Sequence, residues 1–140
     1  MSVTDSYTYV LEMAVRDYEL DYQGIVNNAN YLHYLEHTRH EFCTMAGLSF
    51  ADMHRRGIDP VLRHVDIDYI RPLRSDERFL SCLDICRKGP RFIFKQDLYL
   101  TDGTPVLRAR VTVACVENGQ LTRGDVLADA FGDYLKPMIY

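Results

Sequence analysis

Apolar positions along the chain change period twice. From Tyr7 to Arg16 (YTYVLEMAVR) Tyr, Val and other apolar residues partly alternate with polar ones, which predicts a strand. Tyr31, Tyr34, Leu35, Thr38, Phe42, Met45 and Ala46 then recur at steps of three and four, one face of a helix over Asn30–Ala46. At 1.5 Å per residue that helix is about 25 Å long, enough to cross a small sheet. Gly47 is a natural stop, and Asn27, Asn28 or Asn30 can cap the start. Ser49–Arg56 reads as a short second helix closed by Gly57. Beyond Pro60 the alternation returns. Val61–Ile70 puts Val65, Ile67 and Tyr69 on one face and His64, Asp66 and Asp68 on the other. Glu77–Arg87, Arg91–Thr101 and Pro105–Glu117 are three more strands. Their connections, Lys88-Gly89-Pro90, Asp102-Gly103-Thr104 and Asn118-Gly119, are short and contain glycine, as hairpins require. Asp125–Leu135 predicts a terminal helix, and no repeat, low-complexity segment or linker interrupts the order.

One strand, one long helix and four consecutive strands make an α+β layer arrangement, an antiparallel sheet with the helix on one face. A helix with so broad an apolar side needs the sheet to wrap it. With 140 residues the chain is expected to form one domain over 1–140, because a second core would be too small. Its 47% hydrophobic and 26% charged content exclude global disorder.

Charge and cysteine usage narrow the partners and the compartment. Sixteen basic against 20 acidic side chains give −4, which argues against nucleic-acid binding. Met1–Val10 has no Lys or Arg and no apolar core, so a secretory signal is not expected, and no apolar run approaches the ~18 residues of a membrane span. Cys82 and Cys86 would lie on one face of a strand roughly 13 Å apart, too far for a disulfide. Reduced thiols at Cys43, Cys82, Cys86 and Cys115 and a cytoplasmic location follow.

The candidate chemistry lies in Val15–Glu41. Asp21 places a carboxylate in the loop before the long helix, and Gly24 permits close approach of the backbone or an unusual dihedral. The first N–H groups of the helix lack internal acceptors and point at whatever precedes them. A carbonyl held between can be attacked by the carboxylate, or by water that it activates, while the amides stabilise the oxyanion. On its own, an Asp and a Gly before a helix far more often serve turn chemistry and capping.

The stretch D-Y-Q-G-I-V-N-N-A-N-Y-L-H-Y-L-E-H-T-R closely resembles the signature D-x-x-G-x-V-x-x-x-x-Y-x-x-x-x-E-x-x-R. That signature belongs to the 4-hydroxybenzoyl-CoA thioesterase-like branch of the hotdog superfamily. The matching positions are Asp21, Gly24, Val26, Tyr31, Glu36 and Arg39, and the likeness runs from Val10 to about Val116, including Tyr69-Ile70-Arg71-Pro72-Leu73 closing a strand. The resemblance implies a hotdog fold, a five-stranded antiparallel sheet wrapped around one long central helix. It also implies a homodimer that pairs two sheets, or a homotetramer built from it. By the same resemblance the substrate is an acyl-CoA, with acyl carrier protein as another possible donor, and no metal or cofactor is needed. Asp21 is then the nucleophile or general base, the Asn28 N–H polarises the thioester carbonyl, and Gly24 shapes the loop. Some relatives carry His where Asn28 stands. Asn is neither acid nor base near neutral pH, which leaves Asp21 more alone. Tyr31, Leu35 and Phe42 are candidates to flank the acyl group, though each is equally a core residue. Lys88 and Arg91, with Arg87, Arg108 and Arg110, are candidates for coenzyme A phosphates or simply solvated edge residues. Glu36 and Arg39 can pair along the helix or line the site, and Asp17 and Glu19 read as a solvated loop edge. Two other classes stay open, an enoyl-thioester hydratase and a non-catalytic acyl-thioester binding module.

His33-Tyr34-Leu35-Glu36-His37 fits H-x-x-E-H, an inverted zinc-peptidase pattern, but no third ligand is visible, and a polar histidine stripe is the simpler reading. Ser75 and Ser81 lack the G-x-S-x-G context of a serine hydrolase, and no dinucleotide or P-loop glycine motif occurs.

Overall fold

The apolar stripe on the long helix decides the architecture. In the computed structural model residues 4–137 are described, so the three outermost positions at each end of the expected 1–140 domain lie outside the described residues. Helix α1 spans Asn28–Met45 and buries Tyr31, Tyr34, Leu35, Thr38, Phe42 and Cys43, while Leu32, His33, Glu36, His37 and His40 are exposed. It starts two residues before the expected Asn30 because Asn27 is the cap, its side chain accepting from Ala29 N at 2.9 Å. It stops where expected: Gly47 sits at φ 83° and its N–H donates to Thr44 O.

The strands are β1 (Tyr9–Ala14), β2 (Ile58–Tyr69), β3 (Arg78–Lys88), β4 (Arg91–Leu100) and β5 (Pro105–Glu117). They pair antiparallel in the order β1-β3-β4-β5-β2, so the five expected strands form one sheet with β1 and β2 at its edges. Two short strands add to it: β6 (Gln120–Leu121) beside β5 and β7 (Leu135–Lys136) beside β3. The sheet curls around the buried side of α1. One core cluster gathers Phe42 with Leu83, Ile85, Phe92, Phe94 and Phe131, and a second gathers Tyr31, Tyr34 and Leu35 with Leu73, Phe79 and Leu98. Thr38 and Ser81, both fully buried, satisfy each other across the interface at 2.7 Å.

Three boundaries differ from the sequence reading, each for a local reason. β1 is shorter than Tyr7–Arg16 because Tyr7 and Thr8 turn to the outer face of the sheet, where they bond Asp97 and Asp84. β2 begins at Ile58 and runs through Pro60, which an edge strand tolerates because one of its sides needs no donor. The terminal helix, α3 (Asp125–Phe131), stops short of the expected Leu135 because Gly132 takes φ 52°; the chain then makes a 3-10 turn and pairs Leu135–Lys136 parallel to β3. The short helix α2 is Phe50–Arg55, capped by Ser49. All four cysteines are buried and unpaired. Among the described residues no helix is long and apolar enough to cross a membrane.

Candidate active site

Between β1 and α1 the chain builds a small closed loop. Val15 N donates to Glu77 O, a 3-10 turn covers Asp17–Glu19, and Leu20 and Val26 bridge antiparallel. Inside that bridge Asp21 N donates to Ile25 O at 2.8 Å and Gly24 N to Asp21 O at 3.0 Å. Gly24 takes φ 80°, and a Cβ there would meet nothing within 4 Å. The glycine is therefore required by the left-handed turn and not by close packing. Asp21 Oδ1 accepts from Gln23 N at 2.8 Å and Ile25 N at 3.4 Å. One carboxylate oxygen thus pins the loop, while among the described residues no donor reaches Oδ2. The turn chemistry anticipated as the simpler role of Asp21 is present and leaves its second oxygen available.

The loop delivers the chain to the first turn of α1. There Ala29 N donates to the Asn27 side chain and Asn30 N to Asn27 O, whereas among the described residues the Asn28 N–H has no acceptor. Asn28 is exposed and lines a cavity of about 270 Å³ together with Ile25, Val26, Tyr31, Tyr69 and Arg71. The positive end of the helix dipole favours developing negative charge at this place.

Tyr31 and Arg71 give the cavity a fixed wall. The Tyr31 hydroxyl accepts from Leu73 N at 2.9 Å, its ring meets the Tyr69 ring edge-on at 5.5 Å, and burial pushes the phenol above the usual tyrosine range. Arg71 grips Glu77 with two bonds of 3.0 and 2.8 Å. That guanidinium, aided by Arg74 N, holds the Glu77 carboxyl below the usual range against the opposing effect of burial. A carboxyl lowered in the folded state stabilises fully above its unfolded value, and its contribution is lost as pH falls through the folded one. The Tm advantage of the native protein over Glu77→Gln is therefore expected to stay flat from neutral pH down to about 5 and to shrink below about 4. Thermal unfolding followed across that range checks it.

Glu19 is the residue that sequence reading misplaced. It is not a solvated edge group: only 7% of its surface is exposed. Its Oε1 accepts from Arg16 N at 2.7 Å and from the Tyr34 hydroxyl at 2.9 Å. Its backbone carbonyl accepts from Asn27 N and from Asn30 Nδ2, both at 2.9 Å. Glu19 thereby ties the Asp21 loop to the helix start. Asp17, by contrast, is exposed as expected.

The remaining candidates separate. Leu35 and Phe42 are fully buried in the core and line none of the described cavities. Lys88 and Arg91 flank the β3–β4 turn, whereas the Asp21 loop bonds to Leu73 and Arg74 at the other end of β3. Ten residue steps along β3, about 33 Å of strand, separate the two ends. Arg87 is committed to structure, donating to Gly89 O, Arg123 O and Asp125. Glu36 and Arg39 do not form the anticipated helix pair: Arg39 donates to Gln96 instead. His37 faces Glu41 at 4.0 Å, and among the described residues no group of three His, Cys, Asp or Glu could hold a metal ion.

Residues 15–134 match the family model described as thioesterase-like superfamily. The chain is 37% identical over 114 residues to the chloroplastic acyl-acyl carrier protein thioesterase ATL2 of Arabidopsis thaliana, covering 77% of this chain and 58% of that protein. It thus spans little more than half the length of that relative. It is also 35% identical over 107 residues to the putative acyl-CoA thioesterase YneP of Bacillus subtilis, covering 76% of this chain and 78% of the other. Among solved structures, a hypothetical protein from Aquifex aeolicus superposes with TM-score 0.82 at 27% identity, over 89% of this chain and 99% of that one.

Proposed function

The chain belongs to the thioesterase-like superfamily, and from that premise we propose that it hydrolyses an acyl-CoA to the free acid and coenzyme A at the mouth of α1. The thioester carbonyl lies against the Asn28 amide. The Asp21 carboxylate attacks the carbonyl carbon, or takes a proton from a water that does. The electron pair moves onto the carbonyl oxygen, where the Asn28 N–H and the helix dipole stabilise it. Collapse breaks the C–S bond and releases the thiolate. In the base route the thiolate recovers the proton held by Asp21; in the nucleophile route water hydrolyses the mixed anhydride. Asn28 has no titrating side chain, so proton transfer falls to Asp21 alone.

The observation that carries this reading is the unclaimed amide of Asn28 beside a loop that pins Asp21 by one oxygen only. A thiol-release screen over aliphatic and aromatic CoA esters tests it. Release of free thiol is expected; binding of CoA esters with no release on any of them marks a binding module. Addition of water to crotonyl-CoA without thiol release marks a hydratase. The name of the Arabidopsis relative makes acyl carrier protein the second donor to include in the screen. Four buried, unpaired cysteines support a reducing compartment, the cytoplasm.

A homodimer completes the reading. β2 is twelve residues long and, among the described residues, bonded along one edge only, to β5. Val61, Leu62, Tyr69 and Ile70 on it or just beyond, and Leu32 on α1, are exposed apolar side chains. The edge also exposes Arg63, His64, Asp66 and Asp68, so it is the apolar patch of Val61, Leu62, Tyr69, Ile70 and Leu32 beside unpaired backbone that offers a second copy a surface to pair with. Leu62 is 53% exposed in the single chain, so Leu62→Asp spares the monomer core and is expected to shift the sedimentation mass from dimer to monomer. A native protein that sediments as a monomer overturns the dimer.

A further inference from the structure

Three cavities follow one line between α1 and β2. At the helix start Asn28 and Tyr31 face Tyr69. Next comes an open groove of about 520 Å³ in which Leu32, Glu36 and Arg39 face Leu62, Val65 and Ile67. Last is a chamber of about 190 Å³ where Glu36, Arg39 and Cys43 meet Pro60, Leu62 and Phe131. The α1 numbers rise as the β2 numbers fall, and the last two cavities share Glu36, Arg39 and Leu62.

The walls of the last two cavities are mainly apolar, with Glu36, Arg39 and two histidines as their polar groups. Arg39 Nη1 donates to Gln96 Oε1 at 2.9 Å. Gln96 is fully buried and fixed in turn by donating to the Leu35 carbonyl at 2.9 Å. A guanidinium has five N–H donors, and among the described residues this is the one hydrogen bond Arg39 makes. Burial accordingly holds Arg39 below the usual guanidinium range. Glu36 lines the same two cavities, yet among the described residues no ion pair joins it to Arg39. His33 and His40, which also contribute to this line, are on the exposed side of α1.

We propose that Glu36 and Arg39 select a long aliphatic acyl chain that carries a hydroxyl group partway along it. The hydroxyl oxygen accepts from Arg39, and its proton is donated to Glu36. A bare methylene displaces water and leaves the Arg39 donors unmet. A carboxylate satisfies Arg39 but opposes Glu36. This rests on the reading above, with the thioester at Asn28. From Asn28, Glu36 and Arg39 lie eight and eleven residues along α1, about 12 and 16 Å at 1.5 Å per residue. An extended chain with C–C bonds of about 1.5 Å advances roughly 1.3 Å per carbon, so the hydroxyl belongs some 9 to 12 carbons from the carbonyl. An aromatic ring attached directly to the carbonyl ends well short of that level.

The test is kcat/KM for dodecanoyl-CoA, 10-hydroxydodecanoyl-CoA and dodecanedioyl-CoA, with hexanoyl-CoA as a chain too short to reach the pair. The native protein is expected to favour the hydroxylated chain over the plain one by roughly tenfold or more, and to discriminate against the diacid. In Glu36→Leu and Arg39→Met the ratio of hydroxylated to plain chain, taken within each protein, should fall toward one. Glu36 is exposed, so the Leu variant, which has no acceptor, reports even if Arg39→Met folds poorly. Equal rates on plain and hydroxylated chains overturn the proposal, as does a preference for the diacid or one that survives in Glu36→Leu. Hydrolysis of hexanoyl-CoA shows that the parent reading stands when selectivity fails; silence on every ester, hexanoyl-CoA included, sinks both.

Discussion

Asp21→Asn is expected to lower kcat for thiol release by about 10²- to 10⁴-fold, the range of a general acid–base group. The geometry makes this a clean substitution. Asp21 Oδ1 accepts from Gln23 N and Ile25 N, and the amide oxygen of Asn accepts the same two bonds. Asp21 is half-exposed, with no cation bonded to it among the described residues, so removing the charge leaves no buried partner stranded. Folding stability is therefore expected to change by less than about 0.5 kcal/mol. The loop, the helix start and CoA-ester affinity should survive while turnover does not. Single turnover in ¹⁸O-labelled water adds a second readout with the native enzyme. Label in the Asp21 carboxylate marks the nucleophile route with water attacking the Asp21 side of the anhydride; where label appears only in the product acid, borohydride trapping of the anhydride at Asp21 separates attack on its other carbon from the base route. A variant that turns over at the native rate removes Asp21 from the chemistry.

The parts of this site that were legible in the sequence are those whose information is local. The α1 stripe repeats within a few residues, so the buried face from Tyr31 to Phe42 could be read directly. The Asp21–Gly24 turn and the Asn cap are likewise built from neighbours in the chain. What stayed hidden depends on distant partners. Glu19 looks solvated in the run D-Y-E-L-D, and only the Tyr34 hydroxyl, 15 residues on, makes it an internal group. Arg39 had a plausible partner one turn away in Glu36, but the fold supplies Gln96, 57 residues distant, and that bond wins the guanidinium.

Glu19→Ala is the second large effect expected, and it separates holding the loop from doing the chemistry. The native carboxylate accepts from Arg16 N and from Tyr34, whose hydroxyl is pushed above the usual tyrosine range first by burial and then by this bond. Truncation leaves a buried phenol and a backbone N–H without acceptors, at about 1–3 kcal/mol for each unsatisfied group. A total of roughly 2–6 kcal/mol is a large share of the 5–15 kcal/mol typical of a whole domain. Glu19→Gln keeps an acceptor oxygen at the same reach and should recover most of the loss. The coupling between Glu19→Ala and Tyr34→Phe, measured by denaturant unfolding of the double-mutant cycle, should be about 1–3 kcal/mol. Because the Glu19 backbone carbonyl also takes Asn27 N and Asn30 Nδ2, a collapsed side chain shifts the helix start relative to Asp21. The Ala variant, assayed well below its Tm, should therefore lose kcat more than KM, and Gln should restore it. A folded Ala variant with native kcat would show that the Asp21 loop keeps its place without Glu19.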